Sequence, residues 1–340
     1  MNDITSIAID VMSGDLGPEV ATESSLRFAL AHPSVKLTLV GKQAMIKSII
    51  AQSPTVSNIP SNINIVHADE VISMTDKPSK VLRQKQRSSM AVAITLVKDG
   101  LADACVSAGN TGALMILSRS ILRMLPGIDR PAIAKELVTP QGKCLFLDLG
   151  ANVDSSAEHL YQFAVMGAIY AETVGGISFP KVSLLNVGEE DIKGNEQVKL
   201  ASRLLSESAY VNYAGFIEGH RIFQCDVDVV VCDGFVGNIA LKCGEGVAKL
   251  VIDVMRRSLK KSLFGRFLGW ILSLYLRRVF EAIDPERQNG ASFLGLQGVV
   301  VKSHGSADSQ SFGCALEQAL KEVQNKVPER INKKLDEWLV

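Results

Sequence analysis

The feature that most constrains the fold of this chain is a recurring pattern: a short apolar run, a loop of Gly, Asn and Asp residues, and then a helical pattern. In Asp103–Met115 the run Ala104–Val106 leads directly into Ser-Ala-Gly-Asn-Thr-Gly and a helix start. Strands that alternate with helices in this way predict a three-layer, doubly wound, mostly parallel α/β sheet. The same arrangement follows the runs Ile7–Ile9, Cys144–Leu147, Lys181–Leu185 and Val227–Val231. Further strands are expected at Leu37–Val40 and Ile63–Val66, and a loop is expected at Met124–Ala134.

Ligands of such sheets bind outside the carboxyl ends of the strands, so these loops are expected to converge on one cleft. In the central loop, Gly109 and Gly112 let the backbone approach a ligand closely, and the first N–H groups of the next helix point into the turn. Such a turn suits an anion. A purely structural interpretation is that the glycines serve only the turn and that Thr111 caps the helix.

The loops are poor in side chains that perform covalent catalysis. The five histidines are scattered, and the sequence has no GxSxG, no GxxxxGK[ST] and no GxGxxG after its first strand. What remains is backbone amides, the asparagines Asn110, Asn152 and Asn238, and one loop lysine, Lys193. That set suits the binding of an oxyanion such as phosphate and the stabilisation of charge on a carbonyl oxygen, so that one bound substrate attacks another.

The overall composition argues against several classes of protein. Hydrophobic residues make up 47% of the chain, enough for a large core, and Lys plus Arg equal Asp plus Glu at 36 each. Because a chain with no net charge has no overall positive potential to attract a polyanion, we expect no nucleic-acid partner. The first residues carry no export signal and the six cysteines form no CxxC pair, so we expect a cytoplasmic protein with reduced thiols.

Residues 256–282 differ in composition from the rest and are predicted to form a protruding amphipathic helical hairpin within a single domain, 1–340. Seven basic and no acidic residues occur between 256 and 278, and the ten residues 267–276 are uncharged, about half of the ~20 needed to cross a bilayer. We expect an element that lies in the membrane interface; a buried core helix or a dimer contact is the alternative. The predicted contact residues are Arg256, Arg257, Lys260, Lys261, Phe267, Trp270, Leu274, Arg277 and Arg278.

Six motifs in one order carry a resemblance to a known family. They are DVMSGDLGP, SAGNTGALM, LDLGANVD, NVGEEDIKGNE, CDGFVGNIALK and the His-Gly pair that begins at His304. From Asp10 to about Gly313 the chain resembles the bacterial phosphate acyltransferases, enzymes that use acyl-acyl carrier protein.

The resemblance implies transfer of a long-chain fatty acyl group from acyl carrier protein to inorganic phosphate, which gives acyl phosphate for phospholipid synthesis. It also implies a fold like that of isocitrate and isopropylmalate dehydrogenases, a homodimer, and no metal or nucleotide cofactor. The product would pass to a membrane glycerol-3-phosphate acyltransferase, so we expect a peripheral association with the inner face of the membrane. The basic segment could bind lipid or the acidic carrier protein. A phosphotransacetylase-like enzyme that uses acyl-CoA is the alternative.

On this interpretation the expected catalytic residues are Lys193, a cation beside developing negative charge, and Asn238, which with the Gly237 amide would contact the thioester carbonyl. Asn238 could instead only cap the helix that starts near it. We assign the phosphate side to Asn110, Thr111 and Asn152, although the residues alone do not decide which asparagine contacts which substrate. No metal ligands are predicted, and the expected substrate-binding residues are Asp10, Gly14, Asn110, Thr111, Gly112, Asn152, Asp233, Gly237 and His304.

Overall fold

The computed structural model describes residues 4–56, 58–139, 142–224, 226–260, 287 and 289–338. Within these ranges, eleven strands form one sheet. The strands are β1 (Ser6–Asp10), β2 (Lys36–Gly41), β3 (Ile63–His67), β4 (Ala104–Ser107), β5 (Ala132–Thr139), β6 (Gly142–Leu147), β7 (Lys181–Asn186), β8 (Asn212–Glu218), β9 (Val229–Val231), β10 (Ala291–Leu294) and β11 (Val299–Lys302). The α-helices are α1 (Pro18–Ala31), α2 (Gln43–Gln52), α3 (Pro78–Gln84), α4 (Ser89–Lys98), α5 (Thr111–Leu122), α6 (Ala157–Gly175), α7 (Glu196–Glu207), α8 (Gly234–Lys260), α9 (Ser309–Gln324) and α10 (Val327–Trp338).

The mostly parallel α/β fold predicted from the sequence is confirmed. All seven predicted apolar runs form strands, namely β1, β2, β3, β4, β6, β7 and β9. Successive residues of β1 point to opposite faces of the sheet: Ile7 and Ile9 belong to one hydrophobic cluster and Ala8 to another. Because helices pack on both clusters, the sheet is the middle of three layers.

The sheet consists of two parallel halves that run in opposite directions. Its strand order is β3-β2-β1-β4-β11-β10-β5-β6-β9-β7-β8. Strand β10 is antiparallel to both β11 and β5, and β5 is antiparallel to β6, whereas the other neighbouring pairs are parallel. The loops after β6, β7 and β9 therefore leave the sheet in the opposite direction from those after β1, β4 and β11. The loops were expected to converge on one cleft at the carboxyl ends of the strands, but the carboxyl ends of the two halves point in opposite directions.

Four strands, β5, β8, β10 and β11, are not predicted from the sequence. Strand β5 begins at Ala132, inside the predicted loop Met124–Ala134, so that loop prediction is wrong at its end. Two of the four, β5 and β10, are the strands that reverse the direction of the sheet.

The structure describes five of the six cysteines, and Cys105, Cys232, Cys243 and Cys314 among them are free thiols. Three of them, Cys105, Cys144 and Cys232, are fully buried, as expected for structural thiols. Burial raises the pKa of the Cys232 thiol well above its usual range, and the nearby carboxyl groups of Asp148 and Asp233 raise it further. A thiol that stays protonated is a poor nucleophile, which agrees with the absence of a catalytic-cysteine pattern in the sequence.

Candidate active site

A cavity of about 150 Å³ lies where α8 passes over the first half of β5, the start of β10, the end of β11 and the start of α5. Three of the residues predicted from the sequence line it: Thr111, Asn238 and His304. Thr111 is the first residue of α5 and His304 follows β11, so both come from the first half of the sheet. Asn238 belongs to α8, which starts after β9 in the second half. Helix α8 therefore unites residues whose strands run in opposite directions.

The loops of the first half support one another beside this cavity. The Asp15 N–H donates a hydrogen bond of 2.7 Å to the Gly305 carbonyl oxygen, which joins the loop after β1 to the loop after β11. Gly14 has a φ of +100°, and a Cβ there would lie 3.3 Å from the Ala108 Cβ in the loop after β4. Gly14 therefore serves the close approach of three loops.

Asn110 and Asn152 use their side chains within the protein. The Asn110 Oδ1 accepts a hydrogen bond from the Ala113 N–H at 3.0 Å and caps α5, and its Nδ2 donates to the Met74 carbonyl at 2.7 Å. The Asn152 Nδ2 donates at 2.8 Å both to the Pro131 carbonyl and to an Asp148 oxygen. Neither asparagine lines the cavity. Asn110, rather than Thr111, is thus the residue that caps α5.

Asp233 and the glycines also have structural partners. The Asp233 Oδ1 accepts hydrogen bonds of 3.0 Å from the Phe235 and Val236 N–H groups, so Asp233 caps α8. The Gly237 N–H donates to the Asp233 carbonyl at 2.9 Å, and a Cβ on Gly237 would collide with the Asp148 carbonyl. Because this amide is already bonded, the expectation that it contacts a thioester carbonyl is not supported. A Cβ on Gly112 would lie 2.8 Å from Pro78, so this glycine allows α3 to pack against α5.

Asn238 lies one turn inside α8. Since Asp233 provides the cap, the alternative that Asn238 only caps the helix is wrong. Its side chain is exposed and packs beside Gly150, in the loop after β6. An exposed amide that faces a cavity is free to donate to a ligand.

Asp148 organises the loop that carries Asn152. Its carboxylate accepts hydrogen bonds from the N–H groups of Ile133, Gly150, Ala151 and Asn152 at 2.8 to 3.2 Å. Burial raises the pKa of the Asp148 carboxyl, and these donors oppose that effect. The sequence motif LDLGANVD therefore builds a folded loop around a buried acid.

Lys193 lies in an exposed loop after β7 and does not line the cavity. Its N–H donates to the Glu190 carbonyl at 2.9 Å, and its carbonyl accepts a hydrogen bond of 3.2 Å from Asn186. An ion pair between Arg221 and Glu189 ties the same loop to the end of β8. The backbone of the loop is thus fixed, and the lysine side chain projects from it.

The sequence reasoning missed the four lysines that line the cavity, which are Lys135, Lys242, Lys249 and Lys302. Lys135 Nζ lies 3.3 Å, and Lys242 Nζ 2.8 Å, from oxygens of the same Glu245 carboxylate. Burial lowers the pKa of Lys135, and Glu245 opposes that shift. Lys242 follows Asn238 by four residues, the spacing of one helix face, and that spacing could have identified it.

His304 contacts this cationic group. Its Nε2 lies 3.3 Å from Lys242 Nζ, and its Nδ1 lies 2.9 Å from Ser306 Oγ. Burial, with the positive charges of Lys242 and Lys302, lowers the pKa of His304. The imidazole is therefore neutral near pH 7 and can accept a proton.

Asp10 is buried below the cavity. Ser107 Oγ donates a hydrogen bond of 2.7 Å to its Oδ2, while Oδ1 has no partner among the described residues. Burial raises the pKa of the Asp10 carboxyl, an effect that hydrogen bonds from neighbouring serines oppose. No group of three or more His, Cys, Asp or Glu side chains in the described ranges could hold a metal ion.

Comparison with known proteins identifies the family. Residues 5–330 match the family described as "Fatty acid synthesis protein". The phosphate acyltransferase of Marinobacter nauticus is 50% identical over 340 residues, which are 100% of this chain and 98% of that protein. The phosphate acyltransferase of Pseudomonas fluorescens is 52% identical over 333 residues, 98% of each. This chain belongs to the phosphate acyltransferase family. It is an acyltransferase that transfers an acyl group to phosphate.

Solved structures with the same fold include phosphotransacetylases. The structure of EutD phosphotransacetylase from Staphylococcus aureus has a TM-score of 0.58 and 16% identity, with 94% of each chain covered. The phosphotransacetylase of Streptococcus pyogenes has a TM-score of 0.59 and 14% identity over 97% of this chain and 95% of that one. The 4-hydroxythreonine-4-phosphate dehydrogenase of Klebsiella pneumoniae has a TM-score of 0.53 and 15% identity over 95% and 99%. The expected dehydrogenase-like fold is thus confirmed.

Most of the predicted basic segment lies outside the described residues. This applies to Lys261, Phe267, Trp270, Leu274, Arg277 and Arg278 and to the side chains of Arg256 and Lys260, whereas Arg257 is described and exposed on α8. A bilayer-spanning helix would need a continuous apolar stretch that none of the described helices contains.

Asn238 provides the first test of the cavity. We expect Asn238→Ala to lower turnover roughly a hundredfold or more, the scale for loss of one oxyanion donor, with an unchanged melting temperature. The matched control is Asp233→Ala, which removes the cap of α8 and should lower the free energy of unfolding by about 1 kcal/mol. Thermal melts and turnover of both variants separate the two roles. If Asn238→Ala melts early and keeps full turnover, Asn238 has no part in catalysis.

Proposed function

We propose that the protein transfers a long-chain fatty acyl group from acyl-acyl carrier protein to inorganic phosphate in this cavity, and that it releases acyl phosphate for phospholipid synthesis. The observation that carries the proposal is the grouping of a neutral histidine and several lysines around the Asn238 amide. Cations suit the phosphate, and an uncharged amide donor suits the carbonyl oxygen of a thioester.

The reaction requires few groups from the protein. A phosphate oxygen attacks the thioester carbonyl carbon, the C–O bond forms, and the C–S bond breaks as the tetrahedral intermediate collapses. The proton carried by phosphate ends on the departing sulfur, so acyl phosphate and a free thiol leave. In this scheme Asn238 donates to the carbonyl oxygen as it gains charge, and Thr111 and His304 lie on the phosphate side. His304 accepts the proton that phosphate loses and then gives it to the departing sulfur. Both substrates are held together, so no covalent enzyme intermediate is needed.

The acyl donor in this proposal is acyl-acyl carrier protein, and an assay can distinguish it from acyl-CoA. Phosphotransacetylases share the fold, so an acyl-CoA donor is the competing function. With purified protein, we expect loss of acyl carrier protein thioester that depends on added phosphate, together with formation of acyl hydroxamate when the product is trapped with hydroxylamine. Long-chain acyl-CoA at equal concentration is the matched comparison. Efficient use of acyl-CoA with none of the carrier-protein thioester would reverse the assignment.

Lys193 is proposed as a cation that stabilises the transition state from the loop after β7. The carbonyl and N–H of this residue are bonded within the loop, and its side chain is exposed. Lys193 does not line the cavity, so this role requires that the bound acyl donor extends from the cavity to the loop after β7. A charge that interacts more strongly with the developing oxyanion than with the substrate raises turnover.

We expect Lys193→Ala to keep the fold and to lose turnover by roughly a hundredfold or more. The control is Lys199→Ala, which changes a lysine of the next helix that pairs with Glu196 and should have little effect. Turnover and circular dichroism of the two variants provide the check, and an unchanged turnover for Lys193→Ala would remove this residue from the mechanism.

We also propose that the enzyme is a homodimer of the cytoplasm that binds the inner face of the membrane through residues 256–282 and supplies a membrane glycerol-3-phosphate acyltransferase. The described part of α8 supports this, because Val247, Leu250, Val251 and Val254 form an exposed apolar face that leads toward the basic segment. Anionic lipid attracts each nearby basic residue by about 1 kcal/mol.

Trp270→Glu combined with Leu274→Glu tests the membrane proposal. We expect the double variant to leave vesicles that contain anionic lipid, while it remains dimeric and folded, because two acids in the apolar run oppose insertion into the interface. Flotation with anionic and with neutral vesicles measures the binding, and size-exclusion chromatography measures the oligomeric state. If the variant unfolds or becomes monomeric, the segment is part of a core or a dimer contact.

A further inference from the structure

Lys302 is the most deeply buried cation of the cavity. It is the last residue of β11, 9% exposed, and it lines the cavity at its base. In the sheet register Lys302 lies opposite Ser107 of β4, and Ser107 lies opposite Asp10 of β1. The three residues thus form one row across the carboxyl ends of three parallel strands.

The ammonium group of Lys302 has fewer partners than donors. Its Nζ donates to the Ala108 carbonyl at 3.2 Å and to the Ser303 carbonyl, and these are neutral acceptors. A lysine has three N–H donors, so one is left to face the cavity. Among the described residues no carboxylate lies within ion-pair distance of this nitrogen.

The neighbouring acids compensate Lys302 only in part. Asp15, exposed in the loop after β1, and Asp10, the acid of its row, both favour the ammonium form of Lys302, but neither forms an ion pair with it. Burial raises the pKa of the Asp10 carboxyl, which weakens the negative charge that Asp10 offers. Lys242, which faces Lys302 from α8, disfavours a further positive charge, and the neutral His304 in the loop after β11 adds no negative charge.

The carboxylate of Glu245 is already shared by Lys242 and Lys135. Burial accordingly lowers the pKa of Lys302 to about 8. A buried ammonium that is compensated only in part costs folding free energy unless a ligand supplies a further anion.

We propose that Lys302 binds the phosphate substrate at the base of the cavity, and that phosphate binding holds Lys302 in its charged form, so that the affinity for phosphate decreases with rising pH. The inference rests on the proposed placement of the reaction in this cavity. It assigns phosphate to the end of β11 and leaves the acyl donor on the side of Asn238.

The sign of the pH effect follows from the linkage between proton and phosphate. A phosphate anion beside Nζ favours the ammonium form, so the pKa of Lys302 rises when phosphate binds. Below about pH 8 the free enzyme is already protonated and binding needs no proton. Above that pH each binding event takes up a proton, and the KM for phosphate should rise by up to about tenfold per pH unit.

The experiment measures KM and kcat for inorganic phosphate between pH 7 and 9.5, at saturating acyl-acyl carrier protein, for the wild type and three variants. We expect Lys302→Met to raise the phosphate KM roughly 10- to 100-fold at pH 7, the scale for a hydrogen bond to a charged group, and to remove its pH dependence above about 8. The KM for the acyl donor should not change. Lys302→Arg stays charged and should flatten the same dependence while it retains phosphate binding.

Lys98→Met, at an exposed lysine in the last turn of α4, is the control and should match the wild type throughout. A phosphate KM unchanged in Lys302→Met, or a rise above pH 8 that persists in this variant, would overturn the proposal.

Thermal melts identify a variant that has failed to fold. The pH profile of the wild type remains decisive in that case, because a phosphate KM that stays flat above pH 8 contradicts the proposal. If Asn238→Ala is also fully active, the cavity itself is the wrong site; if only the Lys302 variants are normal, the cavity stands and the assignment of phosphate to Lys302 fails.

Discussion

The site depends on the reversal of strand direction that β10 and β5 introduce into the sheet. Without it, the loops after β6 and β9 would leave the sheet beside those after β4 and β11. With it, a connecting element must bring polar groups from the second half to the first. Helix α8 does so: its first residue donates a hydrogen bond of 2.8 Å to the Asn152 carbonyl, and further along the helix Lys242 meets His304. At 1.5 Å per residue its 27 residues extend about 40 Å, which is ample for this span.

A second consequence concerns charge. Parallel strands bury their ends, and here the end of β11 and the middle of β5 carry Lys302 and Lys135 into the protein. Glu245 compensates Lys135, whereas the two hydrogen-bond partners of Lys302 are neutral carbonyl groups. A protein selected only for stability would replace such a cation with an apolar side chain. A lysine at the base of a cavity is understandable if an anionic substrate pairs with it. The folding free energy that its burial costs is then regained as free energy of substrate binding.

The sequence was sufficient for the strands that are continuous apolar runs, because a strand covered on both faces needs apolar residues at every position. It was insufficient for β5, whose Lys135 and Glu136 interrupt the run, and for β10, whose apolar residues are interrupted by Ser292. Strand direction is not encoded in a hydrophobic pattern at all, so the reversal and the role of α8 could not be predicted. Thr111 and Asn238 were found because polar residues after strands mark ligand loops, whereas His304 was found because it belongs to a motif of the family resemblance. Lys302 was missed because a lysine that ends an apolar run looks like the solvent-exposed limit of a strand.

Several motif residues that were expected to bind substrate have structural roles instead. Asn110, Asn152 and Asp233 satisfy backbone groups at helix starts and loops, a role that also requires polar side chains and fixed spacing. A loop asparagine is therefore ambiguous from sequence, since the same side-chain amide can cap a helix through its oxygen or donate to an oxyanion through its nitrogen. The difference is whether protein atoms already occupy the donors. That criterion separates Asn238, which is exposed at the cavity, from Asn152, whose side-chain NH₂ already donates to Asp148 and Pro131. By the same criterion the unfilled third donor of Lys302 makes it, rather than the loop asparagines, the group with most to gain from a bound phosphate.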